Sequence, residues 1–172
     1  MSVDYTQMVE GCRHRDRRAQ RTLYDTFAPM AMGVCMRYAS DRDAAQDLLQ
    51  DGFVRVFESI GQVRDPERLG AWVYRLMVNE CLKHLRRRTE MEVTLEEPQE
   101  GIQLPLDPFG MEEIVLSLQQ LPAAQRMAFN LVEVEGYTYA AAAETMKSSE
   151  VNVRALLSRA KGRLREMLKN RV

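Results

Sequence analysis

From Ala44 to Ile60 the apolar residues Ala44, Leu48, Leu49, Phe53, Val56, Phe57 and Ile60 recur at spacings of three and four. That period gathers side chains on one side of an α-helix and cannot serve a strand. The same spacing governs nearly every patterned stretch, and no run of β-branched residues alternating with polar ones reaches strand length. An all-α fold is therefore expected, and 172 residues suffice for one domain or two small ones. Ser40 offers a hydroxyl to the first-turn amides and Asp43 a carboxylate to the positive helix end. A helix is expected over residues 41–60, with Asp47, Gln50, Asp51 and Glu58 outside. Gly52 in its middle costs roughly 1 kcal/mol relative to Ala, so either packing is tight there or the helix bends.

Several function classes are excluded at this level. The chain is 45% hydrophobic and 28% charged, the balance of an ordinary globular protein, and no apolar run approaches membrane-spanning length. Residues 1–11 carry no basic region followed by an apolar stretch, so a cytoplasmic location is expected. Cys12, Cys35 and Cys81 leave an odd thiol and argue against a disulfide framework. Cys12 with His14, and Cys81 with His84, are isolated pairs lacking the second pair that tetrahedral zinc needs. A Gly-rich phosphate loop, a Ser elbow and an HExxH sequence are all missing. Neither an enzyme nor a bound cofactor is expected.

Charge is distributed unevenly behind a formal net charge of −1. Residues 1–88 hold 15 basic and 12 acidic groups, residues 89–125 hold 0 and 8, and residues 126–172 hold 9 and 5. After a polar turn at 61–66, a helix is expected over 67–88. At about 100° per residue, Trp72, Arg75, Asn79, Lys83 and Arg86 share one face, while Val73, Met77, Cys81 and Leu85 share the other. The helix ends in Lys83, His84, Leu85, Arg86, Arg87 and Arg88. Complementing the helix dipole accounts for one or two of these cations, not for four beside a stackable ring. Residues 89–110, with Pro98, Pro105, Pro108, Gly101 and Gly110, read as a flexible acidic linker.

Beyond it, Met111, Ile114, Val115, Leu118 and Leu121 keep helical spacing up to Pro122. A helix over 123–135 stops at Gly136, a natural left-handed cap. An Ala-rich segment over 137–146, a turn at 147–149 and a long helix over 150–170 complete the outline of a helix-turn-helix. In that last helix Val153, Leu157, Ala160, Leu164, Met167 and Leu168 form an inward stripe. Arg154, Ser158, Lys161 and Arg165 share one outward flank, and Asn152, Arg159 and Arg163 another. From Lys147 onward there are 8 basic groups against Glu150 and Glu166. Such a helix suits a major groove, where Arg and Asn read base edges and other cations hold phosphates.

Two pairs of stretches carry a family resemblance. DRDAAQDLLQDGFVRVFESI followed by AWVYRLMVNECLKHLRRR resembles the second conserved region of extracytoplasmic-function sigma factors of bacterial RNA polymerase, within the sigma-70 family. LPAAQRMAFNLVEVEGYTYAAAAETM followed by EVNVRALLSRAKGRL resembles their fourth. The resemblance implies two small helical domains, residues 1–88 and 111–172, joined by the linker 89–110. It implies that the polar face around Asp47, Leu48, Gln50, Asp51 and Phe53 grips the clamp helices of the polymerase β′ subunit, and that the β flap is a further contact. Gln62, Arg64 and Arg68, with Asn79 behind them, correspond to a pocket for an unpaired base of the single-stranded minus-ten element. Arg75, Lys83, Arg86, Arg87 and Arg88 would hold its phosphates, with Trp72 open between base stacking and partial burial. Glu150, Asn152, Arg154, Ser158, Arg159 and Lys161 correspond to the helix that reads the minus-thirty-five element as duplex. An anti-sigma factor is the further partner implied.

The chain departs from the family pattern at three places. Ala140, Ala141, Ala142 and Ala143 replace a stretch commonly Glu-Glu-Ile-Ala, Lys147 stands at the turn glycine, and Leu156 stands where a basic or polar residue is frequent. Two other readings remain distinguishable: a stand-alone helix-turn-helix regulator, which would bind a duplex palindrome without polymerase, and a degenerate sigma-like protein-interaction module, which would tolerate charge reversal at Arg86, Arg87 and Arg88.

Overall fold

The computed structural model describes residues 4–91 and 111–169, and every element among them is helical. The chain divides into two compact units, Met1–Cys81 and Leu82–Val172. The helices are α1 (Tyr5–Arg13), α2 (Arg17–Tyr38), α3 (Arg42–Ser59), α4 (Leu69–Met91), α5 (Met111–Gln119), α6 (Ala123–Phe129), α7 (Tyr139–Met146) and α8 (Glu150–Lys169). Most of the expected linker, residues 92–110, lies outside the described residues. Its first three residues are the last of α4, and Thr89 Oγ1 donates to Arg86 O at 2.9 Å.

Aspartate caps start the first three helices. Asp4 accepts from Gln7 N, Asp16 from Arg18 N and Ala19 N, and Asp41 from Ala44 N at 2.8 Å. Each carboxylate satisfies orphan amides at the positive end of a helix. Asp41, not Ser40, therefore caps α3, and the Ser40 hydroxyl donates to Asp41 Oδ2 at 3.0 Å. Inside α3 the inward positions are Ala45, Leu48, Leu49, Gly52, Phe53 and Val56. Ala45 rather than Ala44 belongs to the stripe, and Phe57 is half-buried. At Gly52 the reason for glycine is packing: a Cβ there would collide with Met77 Sδ and Cε.

The first unit packs α2 against α1 and α3. Leu23, Ala31, Cys35, Tyr38, Val56, Leu69, Val73, Met77 and Cys81 are completely buried. Cys81 donates its thiol hydrogen to Cys35 Sγ at 4.0 Å. That contact, followed by burial, pushes the Cys81 thiol far above its ordinary range. Burial, with the Asp16 carboxylate second, also raises Cys12.

In the second unit α5, α6 and α7 pack on α8 around Leu118, Leu121, Phe129, Leu157, Ala160 and Leu164. The helix expected over 123–135 is not uniform. After Phe129 it widens into a π-helical turn, Asn130–Val134, where Glu135 N reaches back five residues to Asn130 O at 2.9 Å. Asn130 is fully buried and donates to Arg126 O at 3.0 Å. Gly136 takes the left-handed conformation, with φ +72°. Lys147 takes it too, with φ 51°, and Ser148 N closes the end of α7 on Ala143 O at 2.9 Å.

Two outcomes follow from this packing. Lys147→Gly removes a left-handed penalty of about 1 kcal/mol and should raise the free energy of unfolding by about that amount in urea titrations. A thiol reagent should leave all three cysteines unmodified in the native chain at neutral pH and label them on denaturation, because only exposed thiolate reacts.

Candidate nucleic-acid interface

Between α3 and α4 the chain makes two 3-10 turns, Ile60–Gln62 and Pro66–Arg68. Ile60, Val63 and Leu69 point inward, at 4%, 3% and 0% exposure. The side chains of Gln62, Arg64 and Arg68 are left in solvent. Asp65 caps the second turn by accepting from Glu67 N at 3.1 Å, with Pro66 preset at its first position. From α1, Arg13 Nη2 donates to Val63 O at 2.6 Å while its Nη1 pairs with Glu10 at 3.2 Å. Three apolar anchors and one guanidinium thus pin a short loop and leave its polar side chains outward.

α4 continues directly from that loop. Val73, Met77, Cys81 and Leu85 are fully buried, and the opposite line of exposed residues is Arg75, Asn79, Lys83 and Arg87, each four apart. Arg86 and Arg88 are half-buried and flank this line. Trp72, near the start of α4, is also half-buried. The spacing of four along an α-helix of 3.6 residues per turn makes the line a gently slanting ridge.

On α3, Asp47, Gln50 and Asp51 are exposed and adjoin Val54, itself 57% exposed. Leu48 and Phe53 are not surface residues: they are 4% and 3% exposed. The Phe53 ring packs 4.6 Å from Tyr24 and 6.2 Å from Phe57. They support the polar face from beneath, as their place in the apolar stripe requires.

In the second unit hydroxyls cap α7 and hold the turn that follows it. Thr138 Oγ1 caps α7 by accepting from Ala141 N at 3.2 Å; in the turn before α8, Ser149 Oγ accepts from Asn152 N at 3.1 Å and Ser148 Oγ from Asn152 Nδ2 at 2.7 Å. Ala142 and Ala143 are buried, and α7 packs on α8. The small residues there fill an inward face rather than a polar one. Leu156 is buried at 8% and joins Val153, Leu157, Ala160 and Leu164 on the inner side of α8. Met167, expected in that stripe, is half-buried at its edge.

Outward on α8 stand Glu150, Asn152 and Arg154, with Ser158, Arg159 and Lys161 half-buried. Two of these cations are held by residues that the sequence reading did not single out. The Arg154 guanidinium lies 4.0 Å above the ring of Tyr139. Lys161 Nζ pairs with Glu133 Oε1 at 2.6 Å, drawing it toward the π-helical turn and away from the outer face. Arg13 and Val151 are likewise absent from the sequence-derived set. Val151 could have been found by counting, since it precedes Arg154 by three residues and Ser158 by seven. Arg13 could not, because its partner lies 50 residues away.

No described helix is long and apolar enough to cross a membrane. The sigma-70 region 2 family matches residues 23–90, and the sigma-70 region 4 family matches residues 111–164. The RNA polymerase sigma-H factor of Pseudomonas aeruginosa is 29% identical over 171 residues, covering 90% of this chain and 89% of the relative. The ECF RNA polymerase sigma-E factor of Haemophilus influenzae is 28% identical over 181 residues, covering 96% and 93%. Among solved structures, the sigma factor RpoE of Bartonella quintana, in complex with the anti-sigma factor NepR, is 24% identical with a TM-score of 0.50, covering 87% of this chain and 96% of that one. That likeness concerns the fold. Regions 2 and 4 stand in order on one chain, and these two relatives align along nearly their whole length; the chain belongs to the extracytoplasmic-function group of the sigma-70 family and is a non-enzymatic sigma factor that directs promoter recognition and transcription initiation.

Proposed function

We propose that the two basic surfaces divide promoter recognition between them. Residues 1–88 grip core RNA polymerase and capture the opened minus-ten strand, residues 111–172 read the minus-thirty-five element as duplex, and residues 89–110 tether the two. The observation that carries this reading is the ridge Arg75, Asn79, Lys83 and Arg87, which begins beside a pinned loop bearing Gln62, Arg64 and Arg68 in solvent. Such a surface offers cations to a single-stranded backbone and amide or guanidinium groups to an unstacked base. Asn79 and Gln62 take the edge of the base, the half-buried Trp72 stands beside them, and Arg86 and Arg88 add charge at the flank.

The exposed carboxylates and amide of Asp47, Asp51 and Gln50 form the polymerase face, directed at the β′ clamp helices, while Leu48 and Phe53 hold that face in place. The second domain reaches the β flap. Glu150, Asn152, Arg154, Ser158 and Arg159 contact the upstream duplex, and Lys161 is withdrawn from it by Glu133. The relative RpoE is held by an anti-sigma factor, and a partner of that kind is proposed here as well. The working location is the cytoplasm, where polymerase and promoter meet.

The test is to copurify the chain with core RNA polymerase and transcribe a pool of genomic fragments. A stoichiometric complex that starts transcripts at sites sharing two spaced elements is expected; absence of a complex would overturn the reading. On a promoter so obtained, Asn79→Ala should reduce strand opening, followed by permanganate reactivity, about fivefold while leaving polymerase affinity intact. Equal loss of both would contradict base capture. Arg154→Met should lower the slope of log affinity against log salt by about one, whereas Lys161→Met should leave it unchanged and cost under about 1 kcal/mol of stability.

A further inference from the structure

Val151 stands in the first turn of α8 with 77% of its surface in solvent, the largest exposure of any large apolar side chain among the described residues. Arg154 and Ser158 follow it by three and seven residues, so all three share one face of the helix. The inward face is already complete in Val153, Leu156, Leu157, Ala160 and Leu164. Its exposed neighbours along the chain, Glu150 and Asn152, are polar. Val151 is thus a pair of methyl groups set alone in a polar stripe and not an edge of the core.

That stripe is held rigidly. Ser148 and Ser149 fix Asn152 through its side chain and its backbone, which locks the turn of helix containing Val151. Tyr139 packs against the core of the second unit and carries the Arg154 guanidinium on its ring. Valine in a helix has one strongly preferred rotamer, so its methyl groups need no further ordering on contact. A residue used only for solubility at this place would be a long polar one; a fixed apolar surface fits a fixed apolar target.

The major groove presents donors and acceptors on every base pair but only one apolar group, the C5 methyl of thymine. We propose that Val151 is a specificity-determining residue that packs against a thymine methyl of the upstream duplex element, on the helix face it shares with Arg154. The proposal rests on the assignment of α8 to duplex reading. It adds to that assignment a contact made by shape and dehydration, without hydrogen bonds, at a position where the neighbouring Asn152 has already engaged one amide hydrogen within the turn.

Uracil differs from thymine only by that methyl group, which gives a direct test. Holoenzyme assembled from the full chain and core polymerase is titrated by footprinting on a promoter whose upstream thymines are replaced one at a time by uracil. At one position the replacement should weaken wild-type binding about fourfold, the worth of one methyl withdrawn from water. Val151→Ala should weaken binding to the thymine promoter to a similar extent, and should no longer distinguish thymine from uracil there. This lack of additivity separates a contact from a general loss of stability. The unfolding midpoint of Val151→Ala should match wild type. If uracil has the same effect on both proteins at every position, or none at any, while Arg154→Ala still erases the upstream footprint, the methyl contact is overturned and duplex reading stands. A footprint indifferent to Arg154→Ala overturns both.

Discussion

Burial of one face of α4 fixes what the other face can be. Val73, Met77, Cys81 and Leu85 are wholly withdrawn from water, and a helix has a single circumference on which to place everything else. The residues opposite are consequently held at known spacing on a rigid ridge, which leaves Arg75, Asn79, Lys83 and Arg87 exposed. Packing at the α3 to α4 contact is tight enough that Met77 occupies the space a side chain at Gly52 would take. The same burial seats Leu69 and so anchors the end of the loop that precedes α4. Core and surface are here one constraint described from two sides.

The second unit reaches the same end by different means. There α8 rests on its buried apolar face, and polar and aromatic neighbours fix the side chains on its outer one. Ser148 and Ser149 hold the first turn of α8, the Tyr139 ring carries Arg154, and Glu133 fastens Lys161. Lys147 shows how firmly the turn is imposed. Lysine adopts a left-handed backbone there, a conformation that costs a side-chain-bearing residue about 1 kcal/mol, and the bond from Ser148 N to Ala143 O closes the end of α7 around it.

Helix type, the two faces of α4 and the inward stripe of α8 were legible because all depend on period alone, and period survives in a linear string. Local chemistry was legible in part: a cap was expected before α3, yet the choice between Ser40 and Asp41 turns on backbone angles that sequence does not carry. The π-helical turn after Phe129 escaped, since a buried Asn130 bonded to its own helix has no linear signature. So did Arg13, Tyr139 and Glu133, whose roles exist only once distant segments meet. The demotion of Leu48 and Phe53 from surface to support was implicit in the apolar spacing, and the family resemblance alone had drawn them outward.

Net charge gives the arrangement its physical sense. A chain with a formal charge of −1 gains little from indiscriminate attraction to nucleic acid, because phosphate neutralisation by its cations is offset by repulsion from its carboxylates. The fold nonetheless gathers basic residues on the α4 ridge and on the outer face of α8. On the proposed division of promoter recognition, each surface alone makes few phosphate contacts. Mounted together on polymerase, the second contact becomes intramolecular, and its effective concentration depends on the separation of the two DNA elements. Weak individual surfaces then become an advantage: a promoter with both elements at the right distance is held, and a site with one is released.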